Sequence, residues 1–274
     1  MTEPVLVPPD ALRGVTVAIS VSDSADLARL GLSHTHCELA VAELARAIFV
    51  AGGTLIYGGR LRPAGFTDVL LDEVRRYRED RDALVLCVPI SEHQRLSDVE
   101  ITRMEDELHT SAELICLDVD GNVTDVRDRS SLPRSADSSA GLTAMRRYIT
   151  GRCDARVLVG GRLQGFEGVL PGVIEEALTS IEAGRPLYVA GGFGGAAATV
   201  ARALGHDDGA WSPSDYPLGL DEHDGLVDLL RQSVVETPLP SDGLSDNQRG
   251  QLAVTHRPGD IASLTVTGLA LRDR

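Results

Sequence analysis

Residues 155–204 constrain the chain most, because they spell one structural unit twice. Ala155-Arg156-Val157-Leu158-Val159 is a short, largely apolar run rich in β-branched residues and ended by glycine, the pattern of a buried strand. Residues 160–168 then hold too many glycines for a helix. Pro171 suits the first turn of the helix that follows, on which Val173, Ile174, Ala177, Leu178 and Ile181 recur at helical spacing. The order repeats with a strand over 186–190, the loop Gly191-Gly192-Phe193-Gly194-Gly195 and a helix over 196–204. Such a repeat requires parallel strands whose loops share one edge of the sheet. That edge suits phosphate. Glycines let N–H groups approach a ligand, and a helix N-terminus carries unpaired donors and about half a positive charge. The competing reading is that the glycines only turn the chain. Gly58-Gly59 weighs against it, because it too follows a strand-like run, as Gly160-Gly161 does.

A chain of 274 residues can bury a core large enough for one α/β domain. With 41 acidic residues against 26 Lys+Arg the net charge is -15, which opposes a polyanion, so no nucleic-acid partner is expected. A local pocket of N–H groups and arginines can still hold a small phosphorylated ligand. Four cysteines form no Cys-x-x-Cys pair; Cys87 and Cys116 sit in apolar runs, and neither Cys37 nor Cys153 carries a motif for a nucleophile or metal ligand. His34 and His36 are only two apart, so they read as exposed residues near a helix cap and no metal site is expected. No basic-then-apolar leader and no membrane-length apolar run occurs, and the expectation is a cytoplasmic protein without membrane contact.

Taken in order, residues 1–14 hold Pro4, Pro8 and Pro9 and read as an extended arm. A first strand over 15–21 runs into Ser22-Asp23-Ser24, a polar turn that could bind phosphate or ribose or make only local bonds. Thr35 with Glu38 has the form of a capping box and starts a helix over 35–51. A strand over 54–59 ends in the first glycine loop, which carries Arg60, and a helix over 66–79 follows. Further strands are expected over 83–90 and 113–119, with a helix over 98–109 between them and a hairpin turn at Asp120-Gly121. A helix over 142–152 carries Arg146 and Arg147. Adjacent helical residues point about 100° apart, so at most one faces the sheet edge, where an arginine could clamp phosphate or carboxylate. Helices follow over 222–234 and after Ser245, which with Gln248 forms a capping box; residues 261–271 read as a helix capped by Asp260. The expected architecture is α/β: a Rossmann-like parallel sheet over 15–235 with helices on both faces. A helical C-terminal extension, 236–274, packs on the domain or on a partner.

Over about residues 15–235 the chain resembles the SLOG superfamily, named for its Smf/DprA and LOG members. The resemblance is carried by the polar turn at Ser22, by Ile56-Tyr57-Gly58-Gly59, and by Gly160-Gly161-Arg162 leading to Gly168-Val169-Leu170-Pro171-Gly172-Val173-Ile174-Glu175-Glu176. The loop from Gly191 through Gly192, Phe193 and Gly194 to Gly195 is similar to that of SLOG domains related to melastatin-type channels. The resemblance implies a Rossmann-like domain that binds nucleotide-derived signals, such as ADP-ribose, its cyclic form or nucleoside monophosphates, in bacterial conflict systems. No cofactor is required, and a homodimer and an effector protein are the expected partners. Ser22, Asp23, Gly58, Gly59, Arg60, Gly160, Gly161, Arg162, Gly168, Pro171, Gly172 and the loop from Gly191 to Gly195 are the expected ligand contacts. LOG members hydrolyse the N-glycosidic bond of a nucleoside monophosphate with an arginine and a glutamate of a Pro-Gly-Gly-x-Gly-Thr-x-x-Glu motif. Arg146 or Arg147 resembles that arginine, and Glu175 or Glu176 that glutamate. The Pro-Gly-Gly and Gly-Thr elements are not intact here, so binding is the first expectation and hydrolysis the alternative. By themselves the two glutamates also suit a helix first turn, where an acid is worth about 0.3–1 kcal/mol.

Overall fold

The computed structural model describes residues 7–59, 65–78, 80–125, 138–206 and 220–272. The first half of the chain supplies strands β1 (Thr16–Ser22), β2 (Thr54–Gly58), β3 (Leu84–Pro89) and β4 (Glu113–Leu117) and helices α1 (His34–Val50), α2 (Phe66–Tyr77), α3 (Ile90–His93) and α4 (Asp98–Leu108). The short β5 (Val123–Thr124) folds back on β4 as the expected hairpin. There follow α5 (Ser138–Arg152), β6 (Ala155–Gly160), α6 (Gly172–Glu182), β7 (Leu187–Ala190), α7 (Gly195–Ala203) and α8 (Leu220–Glu236). Two more helices, α9 (Asp246–Val254) and α10 (Pro258–Leu271), complete the described chain.

The seven strands form one sheet in the order β5-β4-β3-β2-β1-β6-β7, parallel except for the β4–β5 pair. From β1 the chain steps outward through β2, β3 and β4, then returns to the other side of β1 with β6. The reversal leaves a crevice beyond the C-terminal ends of β1 and β6, the usual ligand position in such sheets. Their register pairs Ser22 with Gly160, which sets the polar turn beside the glycine loop.

Both faces of the sheet are covered, which is why the strands are largely apolar rather than alternating with polar residues, Ser20 of β1 and Arg156 of β6 being buried exceptions. Val17 and Ile19 point to the side of α1 and α10, packing with Val41, Leu44, Ile48 and Ile261. Ala18, Ile56 and Cys87 point the other way, against Met145 and Ile149 of α5. A third cluster lies under α6, α7 and α8 around Leu158, Ile174, Val189, Val200 and Leu230. The architecture is the expected Rossmann-like α/β one.

Local starts differ from the expectation in two places. The N-cap of α1 is Ser33, not Thr35. Its backbone N–H donates to His36 Nδ1 at 3.0 Å, so the imidazole takes the place that Glu or Gln fills in the common form of the box. Glu38 is one turn on from His34 and pairs with that ring at 3.1 Å instead. At α10 the N-cap is Arg257, and Asp260 sits inside the first turn, where it accepts a hydrogen bond from the Thr255 hydroxyl at 3.2 Å. The box at Ser245 and Gln248 forms as read.

Residues 9–14 make consecutive turns that bury Leu12, whose N–H bonds Ala51 O at 2.8 Å. The C-terminal helices close the core. Ile261 and Leu269 are fully buried against α1, Tyr188 donates its hydroxyl to Asp242 O at 2.7 Å, and Arg272 donates to Asp154 O at 2.7 Å. Among the described residues no helix is long and apolar enough to cross a membrane.

Two outcomes follow from this packing. Truncating Leu269 to alanine should lower unfolding free energy in urea by about 2–5 kcal/mol, the range for a fully enclosed leucine. All four cysteines are buried, and burial pushes the thiols of Cys37, Cys87 and Cys116 up to about 12. A thiol reagent at neutral to mildly basic pH should therefore label none of the four quickly in the native protein and all of them in denaturant.

Candidate functional site

At the C-terminal ends of β1, β2 and β6 lies a pocket of about 540 Å³. Ser20, Ser22 and Asp23 reach it from β1 and its turn, Gly58 and Gly59 from β2, Gly65 and Phe66 from the start of α2. Met145 and Arg146 of α5, Arg162 of the loop after β6, and Gly172, Val173 and Glu176 of α6 also line it, and Glu92 and Glu167 add two carboxylates to its wall. At Gly58 a Cβ would lie 2.6 Å from the tip of the Ile149 side chain, so the glycine lets α5 pack close against the end of β2. Gly160 and Gly161 have φ of 60° and 105°, a left-handed path that carries the chain back over β1. Ser22 fastens that path: its carbonyl accepts from Gly161 N–H at 2.9 Å and its hydroxyl from Arg162 N–H at 3.2 Å.

The start of α6 offers the free donors. Its N-cap, Pro171, provides no side-chain acceptor, so the first N–H groups, at Gly172 and Val173, are left to the pocket. The α2 start is similar, with Gly65 at the N-cap. Over the first turn of α6 lies the guanidinium of Arg146, itself only 6% exposed. A Cβ at Gly172 would come 2.8 Å from its Nη2, and one at Gly168 would come 3.2 Å from its Nη1. These two glycines make room for the arginine. Its Nη1 donates to Glu175, whereas Nε is buried without a hydrogen-bond partner and Nη2 makes no hydrogen bond among the described residues.

Behind the pocket the charges alternate. Glu175 accepts from Thr143 and Arg146. Glu176 has one oxygen 3.5 Å from Arg146 Nε and the other 3.3 Å from Arg156 Nη1. Arg156, 1% exposed near the start of β6, also donates to Ser180 at 2.7 Å, Ser20 at 2.8 Å and Thr150 at 2.8 Å. Two guanidiniums and two carboxylates thus cancel in formal charge, which is how α5 and α6 can enclose them. Burial pushes the nearby Tyr57 phenol well above its ordinary pKa, and the Glu176 charge adds to that.

The geometry separates the paired candidates. Arg146 enters the pocket; Arg147 is exposed and borders a different recess, beside Gly121 and Tyr148. Glu176 lines the pocket, while Glu175 stands behind it and holds Arg146. Ser22, Asp23, Gly58, Gly59, Arg162 and Gly172 line it as expected. Gly160, Gly168 and Pro171 shape it from outside its wall, and Gly161 borders an adjoining recess of about 330 Å³. Arg60 lies outside the described residues.

The second glycine loop is not brought to the pocket. Gly191, Gly192, Phe193, Gly194 and Gly195 are all buried. A Cβ at Gly191 or Gly192 would strike the backbone of Ala253 or Thr255 at 2.4 or 2.1 Å, so these glycines admit the end of α9. The α7 start already holds an anion: Gly195 N–H donates to Asp26 Oδ2 at 2.8 Å, and Ala196 N–H to Gly161 O at 3.0 Å. Asp26 is 3% exposed. At this loop the glycines serve packing and turning.

Two contributors were missed. Arg156 is a charge at an inward position of an otherwise apolar strand, and such a charge needs a partner, which was the available signal. His34 is more than an exposed residue near a cap. It lines the pocket, lies 2.5 Å from Asp23, and sets its ring edgewise to Phe66 at 5.2 Å. Replacing Arg146 with alanine should cost about 3–5 kcal/mol of stability in a urea titration, because Glu175 keeps its burial and loses its counter-charge while Glu176 keeps only Arg156. Arg147→Ala should stay within about 0.5 kcal/mol of the parent.

A family model described as SLOG cluster2 matches residues 11–236, from the turn that buries Leu12 to the end of α8. No curated protein matches the chain.

Proposed function

The chain belongs to the SLOG cluster2 family, and on that premise we propose that its pocket binds a nucleotide-derived small molecule of the ADP-ribose, cyclic ADP-ribose or nucleoside monophosphate class. The observation that carries this reading is Arg146, a buried guanidinium whose Nη2 makes no hydrogen bond among the described residues, set over a helix start without a side-chain cap. A phosphate there would receive N–H groups of Gly172 and Val173 and the Nη2 group of the arginine, an arrangement that anions favour. The volume lies within the range of small-molecule sites. Phe66, Tyr57, Leu142 and Met145 offer apolar surface for a base, and Glu176 offers an acceptor for ribose hydroxyls. The bound state would pass to a second copy of the chain or to an effector protein.

Hydrolysis of the N-glycosidic bond is the second reading, favoured by the same Glu176, since a carboxylate beside a sugar can stabilise positive charge on it or activate water. Both oxygens of Glu176 lie within reach of guanidiniums, which leaves it less capacity for either task. Binding without turnover is therefore the better supported of the two.

The test is to incubate the protein with nucleoside monophosphates, NAD, ADP-ribose and cyclic ADP-ribose while following melting temperature and base release together. Ligand at a hundred times its dissociation constant should add about 2.7 kcal/mol, or roughly 5–10 °C for a chain of this size. We expect the shift without release, and its loss in Gly172→Ala, whose Cβ would push the Arg146 guanidinium aside. Base release that vanishes in Glu176→Gln would replace binding by hydrolysis. No shift with any of these compounds would remove the nucleotide class.

A further inference from the structure

Arg156 is where the pocket touches the core. Of its five N–H groups, four are used: one on Ser180 and one on Thr150, which tie it to α6 and α5, and two from Nη1, shared between Ser20 Oγ at 2.8 Å and Glu176 Oε2 at 3.3 Å. Ser20 and Glu176 both line the pocket. Burying an arginine is expensive, and a well-packed apolar side chain is commonly as stable in such a place or more so. Its service is better sought in what it orients.

A serine hydroxyl has one proton and two lone pairs. Arg156 occupies the acceptor side of Ser20, and among the described residues Ser20 makes no other side-chain hydrogen bond, so its proton is left for the pocket. Glu176, bound to the same nitrogen, can only accept in its ionised form. A donor and an acceptor therefore stand side by side on the pocket floor. The group that satisfies both at once is a hydroxyl, which accepts from Ser20 and donates to Glu176.

We propose that Arg156 is the positioning residue of this pocket, and that it holds Ser20 and Glu176 as a donor–acceptor pair that reads one ribose hydroxyl of the ligand. The proposal rests on the nucleotide reading above for the identity of the hydroxyl, and on geometry alone for the positioning. Ser20 thereby becomes a specificity determinant, rejecting a sugar that lacks the hydroxyl.

The experiment compares the affinities of AMP, 2′-deoxy-AMP, 3′-deoxy-AMP and inorganic phosphate for the parent protein and for Ser20→Ala, Arg156→Met and Arg156→Lys. A crystal structure of Arg156→Met completes it. In the parent, one of the two deoxy compounds should bind at least about tenfold more weakly than AMP, the loss expected when a buried partner is left unpaired. Ser20→Ala and Arg156→Met should abolish that discrimination, bringing AMP to the affinity of the weaker deoxy compound by a larger factor than any change in phosphate affinity, while Arg156→Lys, whose ammonium can still reach both groups, should retain part of it. A merely structural arginine would change phosphate and AMP binding alike. Full discrimination in Ser20→Ala or Arg156→Met overturns the proposal; should Arg156→Met fail to fold, Ser20→Ala and Arg156→Lys carry the same comparison. The crystal structure separates the two possible failures. If Glu176 keeps its place beside Ser20 without Arg156, the positioning role is wrong whatever binds. If Glu176 swings away and the parent binds no AMP, the positioning stands and the nucleotide reading falls.

Discussion

Two helices of this protein meet across a pair of charges taken out of water, and much else depends on the fact. Arg146 on α5 cannot sit at 6% exposure without Glu175 and Glu176 of α6, and neither glutamate can be enclosed without Arg146 and Arg156. An uncompensated charge in such a place destabilises by several kcal/mol. The cluster therefore fixes how α5 lies against α6, and through Arg156 how both lie on β1 and β6. Apolar packing alone would tolerate sliding; a set of directional bonds to Ser20, Thr150 and Ser180 does not.

The same cluster seats one guanidinium at the pocket of a chain whose net charge is -15. What lies at the pocket wall is local: the Arg146 guanidinium and the first N–H groups of α6, beside the carboxylates of Asp23, Glu92, Glu167 and Glu176. Distant surface carboxylates are screened within about 8–10 Å at ordinary ionic strength. The reversal of strand order at β1 puts that seat where three strand ends and two helix starts converge, so the topology gathers residues from Ser20 to Glu176 into one place.

Much of the fold was legible because its signals are periodic or local. The β-branched runs became strands, the Ser245–Gln248 box formed, and the Asp120-Gly121 turn closed its hairpin. Gly58 and Gly59 could be placed at the pocket, and the Gly160-Gly161 pair beside it, because a glycine after a strand marks the edge of a parallel sheet. What escaped were matters of side-chain partnership. Nothing in spacing says that His36 rather than Glu38 completes the cap of α1, or that His34 turns toward Asp23. Helical geometry allowed only one of Arg146 and Arg147 to face inward without saying which. The decision came from Glu175 and Glu176, thirty residues away, and only tertiary contact reveals it. The loop from Gly191 to Gly195 looked like a second anion site because its local pattern is the same. Its occupant, Asp26, belongs to a turn after β1 that no local reading connects with it.

That occupant has a further meaning. Asp26 is tethered to the sheet, so it competes for the start of α7 as an intramolecular ligand, at an effective concentration on the order of millimolar or above. A free phosphate would have to outbid a carboxylate that never diffuses away. Of two glycine loops that look alike on paper, the one after β6 leads to a helix start at the pocket, and the one after β7 leads to a start already held by a carboxylate of its own chain.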